Sequence, residues 1–359
     1  MEPTPNYSSY SLNELYDALS HVDKETYPER IDMIRVEIEK RNRQSIQNTV
    51  LHGPWIASFW ARLFALIIDL VVLAIVGFLI GMVFEDKLVK IGGWGLIIGF
   101  AIAVGYFGLM NSRLCNGQTI GKMMLGIKVV DGFNNTISIE LSLLRYIILG
   151  VPFFLNGAPL NIELAQSFVM YLVSLIVFGG TFAIIYLYIF NRITRQSLHD
   201  LIVGSYVVNV NANRQGNREV WKPHLGIAAL LLLLSALAPA VIDEIVSDET
   251  FNDLLNVQTK LLSEPDVSYA GVAAGVHYSS LNDMESNKST YLNAEIFLLT
   301  NNIENNGLAR KMAAIVVNNY PEAANKDTLN ITLIYGYDLG IWSFTQQYTH
   351  VFKPTDVTI

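Results

Sequence analysis

Long apolar stretches separated by charged segments dominate the first two thirds of the chain. Residues 64–84 are apolar except for Asp69, and further apolar runs cover residues 91–110, 146–160, 168–190 and 225–242. A stretch of about 20 apolar residues crosses the ~30 Å hydrocarbon core of a bilayer at ~1.5 Å per residue. The pattern therefore predicts about five transmembrane helices. Prolines and an asparagine interrupt the third run, where a re-entrant segment is the alternative.

Basic residues between the apolar runs indicate the orientation of the chain. They cluster before the first run, between the second and third, and between the fourth and fifth: Arg30, Arg35, Lys40, Arg41 and Arg43; Arg113, Lys122, Lys128 and Arg145; and Arg192, Arg195, Arg214, Arg218 and Lys222. If the third run crosses, all three clusters fall on one side, as the positive-inside rule requires. We therefore expect five spans, a cytoplasmic N-terminus and an extracytoplasmic C-terminus.

The two ends of the chain are polar. Residues 1–48 predict a cytoplasmic helical leader that begins at a Ser11–Glu14 capping box, with a docking hairpin as the alternative. Residues 223–243 form the fifth span, after a membrane domain at 49–222, and residues 244–359 predict an extracytoplasmic domain. That domain should contain strands at 267–278 and 292–299, a helix at 307–320, and a hairpin of 328–335 with 341–352. The predicted fold is an all-α transmembrane bundle with a small α+β soluble C-terminal domain.

Composition narrows the possible partners. Of 359 residues, 52% are hydrophobic and 16% are charged, and this surplus of apolar residues indicates a lipid bilayer as the main partner. The net charge of −8 argues against a nucleic-acid partner, because binding requires a basic face that replaces phosphate counterions. The single cysteine, Cys115, excludes an internal disulfide and a multi-cysteine metal site. No cofactor is indicated.

Asp69 is the first candidate for chemistry. An ionisable group inside a span costs ~2.5–3.5 kcal/mol on insertion scales, so Asp69 should face the bundle interior and have a partner. Arg62 points the same way but lies ~10 Å away along the helix axis. One interpretation is a cation or proton site. The other is a fixed pin between helices, paired with Arg145, Arg195 or a polar side chain.

The loop from Gly117 to Lys122 superficially resembles a phosphate-binding loop. The pattern G-x-x-x-x-G-K-[ST] needs one more residue between the glycines and a hydroxyl after the lysine, where this chain has Met123. Nucleotide binding is therefore rejected. We expect instead a tight loop that feeds a hairpin of residues 124–130 with residues 136–139.

Two pairs of glycines lie four residues apart inside apolar runs. Gly77 with Gly81, and Gly95 with Gly99, would let helices approach closely. We therefore interpret both pairs as helix-packing positions rather than hinges.

His199 and Asp200 adjoin the cytoplasmic end of the fourth run. A histidine that titrates near neutral pH beside a carboxylate is suited to sensing or relaying protons. The alternative is that the pair caps a helix or braces a loop.

Three segments of the chain resemble the RDD family of bacterial membrane proteins, named for one arginine and two aspartates. Residues 61–69 carry Arg62 and Asp69, and residues 195–205 begin at Arg195 and carry the second aspartate, Asp200. Residues 116–130 resemble the family's glycine-rich loop, with Gly117, Gly121, Lys122 and Gly126. The resemblance covers about residues 55–210 and is silent on the fifth span and the C-terminal domain.

The resemblance implies a transport protein of the bacterial cytoplasmic (inner) membrane, with monovalent cation–proton exchange as one expected activity. Asp69, Arg62 and Asp200 are then the candidate core, with His199 beside them. The alternative is a non-transporting anchor that assembles with a second copy or with envelope proteins through its C-terminal domain. That domain lacks a nucleophile motif such as G-x-S-x-G, so no enzyme activity is predicted.

Overall fold

A computed structural model describes residues 5–23, 26–52, 55–159, 167–212, 219–246, 249–279 and 287–357. Residue 160, Arg214 and Arg218, which entered the predictions above, lie outside the described residues. The helices are α1 (Leu12–His21), α2 (Pro28–His52), α3 (Phe59–Ile91), α4 (Gly95–Met110), α5 (Ile120–Met124), α6 (Ile139–Asn156), α7 (Phe168–Ser174), α8 (Thr181–Phe190), α9 (Leu198–Val203), α10 (Lys222–Val246), α11 (Glu249–Leu262) and α12 (Asn306–Asn319). The strands are β1 (Ile127–Asp131), β2 (Ser205–Asn209), β3 (Val267–Ser279), β4 (Asn287–Leu298), β5 (Thr328–Asp338) and β6 (Ser343–Phe352).

Among the described residues, 4 segments are long and apolar enough to cross a membrane: Phe59–Met110, Ile139–Asn156, Phe168–Phe190 and Lys222–Ala240. The first segment contains both α3 and α4, which a 3-10 turn separates. The two helices are antiparallel, because Asp69 near the start of α3 bonds to Tyr106 near the end of α4. The predicted bundle of about five spans with an α+β C-terminal region is confirmed.

The third span begins earlier than the apolar run predicts. Helix α6 starts at Ile139, where the Ser138 side chain accepts a hydrogen bond from the backbone N–H of Leu141, and it ends at Asn156. The bounds of 146–160 missed its amphipathic first turns, because polar residues alternate there with leucines. As a result Arg145, which we assigned to a loop, lies in the helix and is 6% exposed.

The fourth span is a continuous helical rod with a wider turn in its middle. Between α7 and α8 the segment Leu175–Gly180 forms a π-helix. This turn packs against α6, since a Cβ at Gly180 would lie 3.0 Å from Pro152 Cγ.

A small two-stranded sheet corrects the predicted hairpin of residues 124–130 with 136–139. Strand β1 pairs antiparallel with β2, from Ile127 opposite Asn209 to Asp131 opposite Ser205. The hairpin prediction was wrong, because residues from Ile139 onwards enter α6 and leave β1 to a distant partner. This pairing brings the glycine-rich loop beside the segment that carries Asp200.

The C-terminal region is an α+β unit of four strands and two helices. Its sheet has the order β3-β4-β5-β6, in which only β4 and β5 are parallel. Helices α11 and α12 cover one face, where Leu261, Met312 and Val316 pack against Ile296 and Leu333. The predicted strands, helix and hairpin are confirmed, and the hairpin turns at Gly340 with a φ of 71°.

The predicted helical leader consists of two helices, α1 and α2, among the described residues. The Ser11–Glu14 capping box at the start of α1 is present in both directions. Leu15 of α1 packs against Ile34 and Ile38 of α2, and these residues form a small hydrophobic core of the leader.

The glycine pairs of α3 and α4 have their nearest described neighbours in the β5–β6 hairpin, and the prediction that another helix approaches them was wrong. They contact residues 337–342, at the end of the β5–β6 hairpin; residues 339–342 are called here the hairpin tip. A Cβ at Gly77 would lie 2.6 Å from Trp342 Cβ, and a Cβ at Gly95 would lie 2.6 Å from the carbonyl oxygen of Asp338. The close approach that these glycines permit is therefore to the C-terminal region of the same chain.

Candidate functional site

Buried polar side chains gather at one end of the bundle, where α3 begins and α4 ends. Helices α5, α6 and α9 and the β1–β2 sheet meet at the same end. The polar groups form two clusters, one around Asp69 and one around Asp200. Asp69 and Asp200 are both 0% exposed, so each carboxylate depends on protein donors rather than on bulk water.

The Asp69 cluster consists of Asp69, Tyr106, Thr119 and Gly121. Asp69 Oδ1 accepts hydrogen bonds from the Tyr106 hydroxyl at 2.7 Å and from the backbone N–H of Gly121 at 2.8 Å. Asp69 Oδ2 accepts from the Thr119 hydroxyl at 2.6 Å. These three hydrogen bonds to one carboxylate join α3 to α4 and α5.

The glycine-rich loop, residues 117–126, has the residues that let α5 lie close enough to α3 to bond with Asp69. A Cβ at Gly121 would collide with the backbone carbonyl of Ala65, so only glycine lets α5 lie this close to α3. Thr119 begins α5 by accepting from the backbone N–H of Lys122. Gly117, at a φ of 73°, and Gly126, at a φ of 63°, adopt the left-handed conformation that glycine tolerates. The glycines of this loop thus allow α5 to pack directly against α3.

The Asp200 cluster consists of Asp200, Arg62, Arg145 and Ser205. Arg62 Nη2 donates to Asp200 Oδ2 at 2.8 Å. Arg145 donates to Asp200 Oδ1 from Nε at 2.9 Å and from Nη2 at 2.6 Å. The Ser205 hydroxyl adds a hydrogen bond of 3.1 Å to Oδ1. One carboxylate therefore links α3, α6, α9 and β2.

Arg62 and Asp69, although they share one face of α3, belong to different clusters. The separation of ~10 Å along the axis that their spacing predicts explains why neither serves as the other's partner. Arg62 is instead held by Asp200 and lies over the ring of Tyr188, with 5.2 Å between Cζ and the ring centroid.

The comparison with protein families covers the part of the chain that holds most of these residues. The model of the RDD family matches residues 56–204, a range that contains the Asp69 cluster and all of the Asp200 cluster except Ser205. The chain carries an RDD family domain. The comparisons with curated proteins and with solved structures returned no match. Asp69 and Asp200, the two aspartates that suggested the resemblance, are the centres of the two buried clusters, and Arg62 belongs to the cluster of Asp200.

Asp200 remains ionised within the RDD domain. Burial raises the pKa of its carboxyl, but the charges of Arg145 and Arg62 outweigh this effect and hold the pKa well below its usual value. A buried ion pair of this kind gains little net stability, yet removing one partner leaves an uncompensated charge. The Asp200 cluster thus fixes the packing of the RDD domain.

Arg195 contributes its backbone rather than its side chain to the RDD domain. Its carbonyl oxygen accepts a hydrogen bond from Arg62 Nη1, and its φ of 53° directs the chain towards α9. Arg195 and Arg145 were both considered as partners of Asp69. The described contacts of Asp69 are instead to hydroxyl groups and to a backbone N–H.

His199 lies beside Asp200 but in a poor arrangement for proton relay. Its Nε2 is 3.5 Å from Asp200 Oδ2, and its buried Nδ1 has no hydrogen-bond partner among the described residues. Burial is the main cause that lowers the pKa of His199 to about 3. The imidazole is therefore neutral at neutral pH, which favours a bracing role over a relay.

Lys122 is the residue of the RDD domain whose chemistry sequence reasoning missed. We assigned it only to the structural motif of the glycine-rich loop. Its Nζ lies 3.4 Å from Thr119 Oγ1, and the same hydroxyl donates to Asp69. Thr119 therefore connects an amine to the buried carboxylate. A lysine that follows the second glycine of a loop at the membrane boundary was the available signal.

The charges around Lys122 make its proton labile. Burial is the main cause that lowers the pKa of the Lys122 amine to about 7. The guanidinium groups of Arg145 and Arg62 act in the same direction by repulsion, and the carboxylates of Asp69 and Asp200 act against them. Lys122 therefore changes charge near neutral pH. A process that couples to protons at this pH needs a group that titrates there.

Proposed function

We propose that this RDD family membrane protein exchanges monovalent cations for protons, with Asp69 as the cation site and Lys122 as the proton carrier. The observation that carries the proposal is the Thr119 hydroxyl, which lies within reach of both the Asp69 carboxylate and the Lys122 amine. A group that loses a proton and a group that holds a cation are thus coupled through one side chain.

The Asp69 cluster offers the ligands that a small monovalent cation prefers. Hard cations are bound by carboxylate, hydroxyl and carbonyl oxygens. Asp69 supplies a carboxylate, and Tyr106 and Thr119 supply hydroxyl oxygens at 2.7 and 2.6 Å from it. Rotation of the two hydroxyl protons away from Asp69 would turn these donors into ligands.

The exchange conserves charge in this proposal. In one state the Lys122 ammonium compensates Asp69. When a cation binds to Asp69, the ammonium loses its proton to water, and the net charge of the site is unchanged. Asp200 binds both Arg62 and Arg145, and the positive potential of the two guanidinium groups favours the neutral form of Lys122.

The liposome experiment that tests the proposal compares two acids of the same helix. Protein in liposomes that contain a pH dye is given an inward sodium or potassium gradient, and proton efflux is expected. Asp69→Asn should reduce efflux to the rate of empty liposomes, because the amide has no charge to exchange. Asp86→Asn, at the exposed far end of α3, should leave it unchanged. Equal efflux in both variants would remove Asp69 from the mechanism.

The proposal includes an orientation. Arg62, Lys122, Arg145, Arg195 and other basic residues lie at the end of the bundle that holds both clusters, which the positive-inside rule assigns to the cytoplasm of a bacterial cell. A reporter enzyme that is active only outside the cytoplasmic membrane should be inactive when fused at residue 210 and active when fused at residue 359. The reverse pattern would reject this orientation.

A second candidate function is a non-transporting membrane anchor that assembles with envelope proteins or with a second copy. The observation that favours it is that both carboxylates are already bound by protein groups. Asp69 has three donors and Asp200 is bound by two arginines, an arrangement suited to a fixed brace. Absence of cation-driven proton efflux, together with a stable partner that co-purifies with the full chain, would favour the anchor.

A further inference from the structure

The hairpin tip lies between α3 and α4 at the end of the bundle opposite Asp69, called here the distal end. Leu339 is 0% exposed and clusters with Leu88 and Val89 of α3. On the α4 side, a Cβ at Gly99 would collide with the carbonyl oxygen of Leu339. A segment of the C-terminal region therefore occupies the space between two membrane spans.

An apolar layer separates the hairpin tip from the Asp69 cluster. Leu73, one helical turn from Asp69 towards the distal end, is 2% exposed and packs in a cluster with Ala103 and Phe107 of α4. Ile341 of the hairpin tip packs against this same cluster. Along α3 the order is therefore Asp69, then Leu73, and then Gly77, against which the hairpin tip packs.

The hairpin tip is held together independently of the helices. Its backbone is closed by a bond of 2.9 Å from the Leu339 N–H to the Trp342 carbonyl, and the Asp338 carboxylate accepts from the Gly340 N–H at 2.7 Å. Its contacts with α3 and α4 are mainly apolar, and the nearby bond from the Tyr335 hydroxyl to Asp86 is a long 3.4 Å. The turn of the hairpin tip is thus closed by hydrogen bonds within the hairpin itself.

We propose that the hairpin tip is a gate that closes the cleft between α3 and α4, so that water and solutes from the distal side reach Asp69 only when it withdraws. The proposal rests on the proposed function for its role in transport, since a gate is needed only if Asp69 is reached from both sides. The C-terminal region would then control access to the RDD domain rather than merely be tethered to it.

The test measures water access at Leu73 and uses two glycines of α4 as a matched pair. The protein labelled carries Cys115→Ser and Leu73→Cys, so that the only cysteine is at position 73. The rate at which a water-soluble maleimide labels this cysteine reports the access of water to the cleft. Gly99→Leu should unseat the hairpin tip and raise the labelling rate at least about tenfold. Gly105→Leu should not, because a Cβ there meets nothing within 4 Å. Equal labelling rates in the two variants would overturn the gate.

A second variant covers the case in which Gly99→Leu does not fold. Leu339→Ser with Ile341→Ser removes apolar contacts from the hairpin tip and leaves α3 and α4 unaltered, so it should also accelerate labelling. Unaltered labelling in this variant would equally reject the gate. Labelling needs no cation flux: fast labelling without flux in the liposome experiment rejects the exchange function alone, and flux with unaltered labelling rejects the gate alone.

Discussion

Asp200→Ala is expected to destabilise the membrane domain by about 3–5 kcal/mol, the cost of leaving a buried charge without its partner. Arg62 and Arg145 donate to the same carboxylate, and each side chain is 7% exposed. Neither guanidinium has bulk water nearby to replace the lost carboxylate. The helices α3, α6 and α9 would therefore lose their common attachment, and the loss should far exceed that of a surface substitution.

Thermal unfolding in detergent, followed by the loss of monodisperse protein, measures this effect. Asp32→Ala, at an exposed position of α2, is the control and should change stability by less than about 0.5 kcal/mol. Combining Asp200→Ala with Arg145→Met should cost less than the sum of the two single changes, because one stranded charge is then removed as well. A loss no larger than that of the control would mean that Asp200 does not hold the helices together.

The architecture was largely predictable because its main signal is length of apolar sequence. Residues 64–84 and 168–190 could not be soluble helices, and the structure has membrane-spanning helices over both. The start of α6 was not predictable in this way, since Glu140, Ser142 and Arg145 break the apolar run. Amphipathic turns that face a polar cluster inside the bundle have the composition of a loop.

The strand that pairs with β1 was also not predictable from the sequence. Strand β1 has an available partner a few residues later, and local reasoning chose it, but β2 lies more than seventy residues away. The glycine pairs failed for the same reason. Small residues predict that something approaches closely, and only the folded chain reveals that the hairpin tip does so.

The charged residues of the candidate site were predictable, but the side chains that bond to them were not. Arg62, Asp69 and Asp200 stand out because ionisable residues in or beside apolar segments are costly. Arg145 and Tyr106 come from other helices, so their role depends on packing. Lys122 was named, but its pKa of about 7 arises from burial and from charges on several different elements.

A second large effect is expected in the pH dependence of cation binding. If a cation and the Lys122 proton compete, the apparent cation affinity should fall about tenfold for each pH unit below 7 and level off above it. Lys122→Gln has no proton to exchange, so its cation affinity should not depend on pH in this range. Isothermal titration with sodium chloride at pH 6, 7 and 8 measures both profiles.

The most direct measurement is proton release from purified protein in weakly buffered detergent solution at pH 7. A saturating sodium or potassium salt should release less than one proton per protein, because a pKa of about 7 leaves only part of the Lys122 amines charged at this pH. Choline chloride should release none, and neither Asp69→Asn nor Lys122→Gln should respond to sodium. Release that persists in Lys122→Gln, or no release from the unaltered protein, would contradict exchange at this site.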